Sequence, residues 1–137
     1  MRYLLDTNTC IRYLNGRAPT IRQRLESVHR DDVAVCAPVK AELFYGAARS
    51  REPLRSLQRQ LAFLDQFVSL PFDDRAAGVY GQIRADLASG GIPIGPNDLL
   101  IASIALAHGI VLVTHNTGEF RRVAGLAVDD WEASPLS

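Results

Sequence analysis

Four short segments of this chain place acidic residues where chemistry is usually done. Asp6 ends the apolar run in LLDTN, and the pair Asn97-Asp98 stands at the mouth of a long apolar helical pattern. His115, Asn116 and Glu119 follow the strongest strand pattern, and Glu42 sits one turn into the stretch AELFYGA. In an open parallel sheet, polar groups beyond the carboxyl ends of the strands share one crevice. Carboxylates gathered there repel one another unless a cation sits among them. With no paired cysteine or histidine spacing nearby, an oxygen-only donor set selects a hard cation, magnesium or manganese. Such a cation lowers the pKa of a bound water and neutralises charge building on a phosphate, which is the chemistry of phosphoester cleavage.

Each residue also has a purely structural account. Asp6 can cap the helix that begins at Thr7. Asp98 in a first helical turn complements the helix dipole. Glu42 can point into solvent, and Asn116 with Glu119 three residues on fits a capping box. A different phosphate chemistry is suggested by DTNT, which is similar to the D-x-D-x-T loop of haloacid-dehalogenase-type phosphatases. There the second aspartate transfers a proton; here that position is Asn8, which cannot.

The elements that must position these residues alternate short β-type runs with longer helical patterns, which points to an α/β fold with a mostly parallel sheet. Tyr3 to Leu5 reads as a central strand and Thr7 to Leu14 as the following helix. A second helix spans Pro19 to His29, and Val33 to Cys36 is a strand. The helix opened by Pro38 and the one over Leu54 to Phe67 form a hairpin standing off the sheet. Leu54, Leu57, Leu61 and Leu64 make an apolar stripe on the latter. Val68 to Leu70 is a short strand and Asp73 to Ala88 a long helix. The run DLLIASIALAHG is a buried helix closed at Gly109. Strands at Ile110 to Val113 and at Leu126 to Val128 complete the sheet, the last at its edge.

The chain has 137 residues, 47% hydrophobic and 22% charged, which suits one domain with a core of its own. That domain is expected over residues 1–132, with 133–137 as a loose tail. Cys10 and Cys36 are expected to be reduced core thiols. Neither a secretory signal nor a membrane span is expected, and the cytoplasm is the expected compartment. Formal net charge is zero, so no global basic field announces nucleic acid, although 14 of the 15 basic residues are arginines.

The segments LLDTNTCIRYL, AELFYGA, PIGPNDLLIAS and VLVTHNTGEFRRVAGLAVDDW resemble, in order and spacing, the PIN-domain ribonucleases. More closely, they are similar to the VapC toxins of VapBC toxin–antitoxin modules, from the first strand to Trp131. The resemblance implies a PIN-like three-layer α/β/α fold with a protruding helical hairpin and an acidic pocket binding magnesium or manganese. By position it implies Asp6, Glu42 and Asp98 as the catalytic acids, supported by the hydroxyls of Thr7 and Thr114. Many PIN domains carry an aspartate where this chain has Asn116. A group of VapC toxins has N-T-x-E-F there, and Glu119 matches their fourth acid. Asp6, Asp98 and Glu119 are then the expected metal ligands, with Asn116 as a neutral further candidate and Glu42 orienting the attacking water.

The implied activity is metal-dependent endonucleolysis of RNA, a transfer RNA among the candidate substrates. The implied partners are a VapB antitoxin, a second copy of the chain in a homodimer, and hetero-oligomers of toxin with antitoxin. Arg12 and Arg84 are candidate phosphate contacts, and the leucine stripe beside Phe44-Tyr45 is a candidate groove for an antitoxin helix. The competing expectation is a catalytically silent PIN fold used as a binding scaffold.

Overall fold

The computed structural model describes residues 1–133; the tail expected over 133–137 lies, but for Ala133, outside the described residues. Five strands form one sheet in the order β3-β2-β1-β4-β5, and every pairing is parallel. The strands are β1 (Tyr3–Leu5), β2 (Val33–Cys36), β3 (Val68–Leu70), β4 (Val111–Val113) and β5 (Val128–Asp129). Seven helices connect and cover them: α1 (Thr7–Leu14), α2 (Pro19–Ser27), α3 (Ala37–Ala48), α4 (Pro53–Leu64), α5 (Asp74–Ser89), α6 (Pro96–His108) and α7 (Thr117–Phe120).

β1 lies at the centre because every residue of YLL is buried, as is every residue of VAVC in β2. Successive strand residues point to opposite faces, so such runs need cover on both sides of the sheet. Helices supply it. α6 is buried on most of its circumference, from Leu99 through Ala107, and packs extensively on α5. α4 packs chiefly on α3, giving the expected hairpin. Its stripe is split: Leu64 turns into the core, whereas Leu54 is 77% exposed. Tyr13 of α1 stacks on Phe63 of α4 with ring centroids 4.6 Å apart, which ties the hairpin to the body.

Several element ends differ from the sequence reading for identifiable reasons. The last strand begins at Val128, not Leu126, because Leu126 N–H closes a turn onto Val123 O around Gly125, whose φ is 81°. Ile110 stays outside β4 because its N–H bonds back to Ala105 O, across the left-handed Gly109 that ends α6. α4 stops at Leu64, where the Gln66 side chain donates to the carbonyls of Ala62 and Phe63. α2 ends at Ser27, and a 3₁₀ turn over Arg30–Asp32 leads into β2. Cys10 and Cys36 are both free and buried, as expected, and burial pushes the Cys36 thiol up to about 12. Among the described residues no helix is long and apolar enough to cross a membrane.

The end of the sheet is pinned by Trp131. Its ring meets Tyr3 edge-on at 5.2 Å, Arg24 lies over it at 5.3 Å, and its indole N–H donates to Asp129 at 3.1 Å. Because the side chain is 1% exposed, replacing Trp131 with alanine should remove about 3–5 kcal/mol of stability. Urea unfolding followed by far-ultraviolet circular dichroism will measure it.

Candidate active site

Asp6 is the first residue after β1, and the backbone there is still held to the neighbouring strand by Asp6 N–H to Val113 O at 3.1 Å. Its carboxylate is 4% exposed and does cap α1: Oδ1 accepts the Thr9 N–H at 2.8 Å. The Thr9 hydroxyl in turn donates to Val113 O at 3.3 Å. Thr114, fully buried at the end of β4, accepts the Asn116 N–H at 3.0 Å, and its hydroxyl lies near enough to Asp6 to favour the ionised carboxylate. Burial raises the Asp6 pKa above the ordinary carboxylate value; the bonds from Thr114 and Thr9 oppose that rise.

Glu42 is brought to the site by α3, which follows β2 directly. It does not run free into solvent. It is half-buried, and Thr7 Oγ1 donates to its Oε1 at 3.0 Å. The residue after Asp6 therefore fixes the second acid. Asp98 sits in the first turn of α6, two residues after Pro96. Its pKa is pushed up to about 7, first by burial, then by a hydrogen bond to Glu119 and by the negative charges of Glu119, Asp6 and Glu42. All four expected acids thus converge, and burial together with the charge of the other three favours the protonated form of Asp98.

Glu119 is oriented by two donors. Gly95 N–H bonds to Oε1 at 2.9 Å, and the Asn116 amide donates to Oε2. The capping-box expectation for Asn116 and Glu119 is corrected by these contacts. The Asn116 side chain makes no bond to the backbone of α7, because it is spent on the Glu119 carboxylate. Asn116 acts here as the clamp of the fourth acid.

Sequence reasoning missed Asp130 and Glu132. His115 Nδ1 lies 3.0 Å from Asp130 and 3.7 Å from Glu132, and Arg12 Nε pairs with Glu132 at 2.9 Å. The signal available was the acidic run DDWE near the end of the chain. Glu132 lies near enough to add its field to Asp6. Arg12 pairs with Glu132 and Arg84 donates to the Tyr80 hydroxyl at 2.9 Å, each through one of its guanidinium nitrogens.

The donor set at the centre is all oxygen, and the Asp98 pKa is raised there first by burial and then by the acids around it. Those oxygen donors fit a hard divalent cation, which would favour their ionised forms. The comparisons with known proteins agree with that geometry. Residues 3–126 match the PIN domain family. The chain is 39% identical over 135 residues to the tRNA(fMet)-specific endonuclease VapC of Shigella flexneri, covering 96% of this chain and 98% of that one. It is 35% identical over 133 residues to ribonuclease VapC2 of Rickettsia felis, covering 96% and 99%. Its fold superposes on DNA-bound VapBC from Salmonella typhimurium with a TM-score of 0.91 and 38% identity, covering 96% of this chain and 98% of that one. Motif order, topology and acidic cluster therefore agree: the chain belongs to the PIN-domain family, among its VapC ribonucleases.

Proposed function

We propose that this chain is the toxin of a toxin–antitoxin pair, an endoribonuclease that hydrolyses phosphodiester bonds with the help of magnesium or manganese. The observation that carries the reading is the convergence of Asp6, Glu42, Asp98 and Glu119, with Asp98 raised to about 7 by burial and by its acidic neighbours. Asp6, Asp98 and Glu119 hold the cation, directly or through water. When bound, the cation supplies a more acidic water and neutralises charge on the phosphate. Glu42, steadied by Thr7, orients or deprotonates the attacking water. Asn116 and Gly95 keep Glu119 aimed at the site, and the Thr9 N–H does the same for Asp6.

The relative from Shigella flexneri is named for tRNA(fMet), which favours a structured RNA with an unstacked loop as substrate. An RNA substrate supports the cytoplasm as the compartment in which the chain acts. Solved relatives from Salmonella typhimurium and Rickettsia felis are VapBC complexes bound to DNA, which supports a VapB antitoxin as partner. A homodimer that assembles further with the antitoxin is part of this reading. The apolar groove of Phe44, Ala47, Leu54, Leu57 and Leu61 offers an amphipathic antitoxin helix its seat.

Replacing Asp6 or Asp98 with asparagine should cut RNA cleavage on the order of 100-fold or more, since each removes charge stabilisation at the reacting phosphate. Undiminished cleavage by either variant in magnesium, read on denaturing gels, would sink the mechanism.

Magnesium or manganese should raise the melting temperature of the native chain, with a stabilisation of about 2.7 kcal/mol at a hundredfold excess over Kd. Asp98→Asn should lose that shift, and a chelator should reverse it. A flat response in the native chain would instead favour the silent scaffold.

Stability without cation should depend on pH in a defined direction. The folded Asp98 pKa is raised from 3.8 to about 7, so the folded chain binds the extra proton between those values. Its contribution to stability is full at low pH and is lost as pH rises through about 7. Asp98→Asn or saturating magnesium should flatten that slope, as thermal melts across the pH range will show.

A further inference from the structure

His115, Asp130 and Glu132 gather beyond the ends of β4 and β5, and none of the roles assigned so far uses them as a group. One ring nitrogen and two carboxylate oxygens lie within 4.8 Å of one another. His115 Nδ1 is 3.0 Å from Asp130 Oδ2 and 3.7 Å from Glu132 Oε2. Two donors on one zinc ion, each at about 2.1 Å, stand about 3.0 Å apart at a right angle and about 3.4 Å apart at the tetrahedral angle. The three atoms are thus spaced much as neighbours in one coordination shell are.

Ion pairing alone does not use up these oxygens. Nδ1 carries at most one hydrogen, so it can satisfy only one of the two carboxylates that face it. Each carboxylate is steadied through its other oxygen. Asp130 Oδ1 accepts the Glu132 N–H at 2.9 Å, and Glu132 Oε1 accepts from Arg12 Nε at 2.9 Å. Partners of this kind are what orient the ligands of a metal. The backbone is fixed as well: Thr114 N–H bonds to Asp129 O at 2.9 Å, and Trp131, between the two acids, is 1% exposed. Charge points the same way, because two carboxylates against the guanidinium of Arg12 leave a negative excess beside the ring. The His115 side chain is 65% exposed, against 20% for Asp130 and 12% for Glu132, so the group opens to solvent on the imidazole side.

We propose that His115, Asp130 and Glu132 form a second cation site, separate from the four catalytic acids, for a divalent transition metal of the zinc type. Imidazole nitrogen suits zinc, whereas magnesium takes oxygen donors, so the two sites differ in the metal they prefer. Three protein ligands leave a further position to water, which the open side of the group admits. A metal held there ties the turn after β4, which carries Asn116, to the segment after β5. The site needs neither RNA nor the ribonuclease reading for its chemistry.

The test titrates zinc chloride by calorimetry into the native full chain and into His115→Asn, Asp130→Asn and Asp98→Asn, with the magnesium-linked thermal shift measured on each preparation. The native chain and Asp98→Asn should share a zinc-binding event. His115→Asn and Asp130→Asn should weaken that event by at least about 10-fold, while both keep the magnesium shift of the native chain. Nuclear magnetic resonance of the ring signals should show His115 responding to the first equivalent of zinc, with His29 and His108 unmoved. Zinc binding unchanged by His115→Asn overturns the proposal, as does a native chain that binds no zinc at millimolar concentration. Loss of the event in Asp98→Asn also overturns it, by placing the zinc among the catalytic acids. A native chain without a magnesium shift counts against the ribonuclease reading alone.

Discussion

Mutual repulsion among carboxylates at one end of a parallel sheet is the constraint to which the rest of the structure answers. Asp6, Glu42, Asp98 and Glu119 arrive from four separate elements, and Asp98 feels the charge of the other three. Left in water these groups would separate. Here they are held by structure that is stable for other reasons: a central strand with no exposed residue, a helix buried on most of its surface, and the short helix after β4. The core is thus what keeps like charges together, and the cost appears as a proton retained near neutrality.

Small polar groups distribute that tension. Asp6 uses one oxygen to cap α1, so the residue is anchored whether or not a cation is present. Thr7 ties Glu42 across from another helix, and Asn116 with Gly95 restrains Glu119. The structural and chemical accounts of Asp6 are both true because a carboxylate has more than one lone pair to offer.

Much of this was legible along the chain, for physical reasons. All-apolar triplets ending in a polar residue announce central parallel strands, and the acids beyond them fall at the same edge by topology alone. The reading failed where one residue carries two messages. Asn116 and Glu119 have capping-box spacing, but only the folded chain reveals that the amide prefers the side-chain carboxylate. Leu126 looks extended by composition, yet a turn at Gly125 delays the last strand by two residues. Asp130 and Glu132 carry no local pattern that ties them to the site, and it is β5 that brings them beside His115 and Arg12. Long-range pairing of this kind leaves no periodic trace.

The register of the sheet also has a consequence for biosynthesis. β1 pairs with β4 through Leu5 and Val113, so the strand that bears Asp6 gains its second neighbour only when more than a hundred residues have been made. Loop closure over such a span is slow relative to forming local helices. Thr114, Asn116 and Glu119 follow that late strand, and the acidic cluster cannot assemble before they emerge. A nascent chain on the ribosome, surrounded by RNA, therefore carries Asp6 and Glu42 long before it carries a finished site. The chain order makes cutting power the last property the protein acquires.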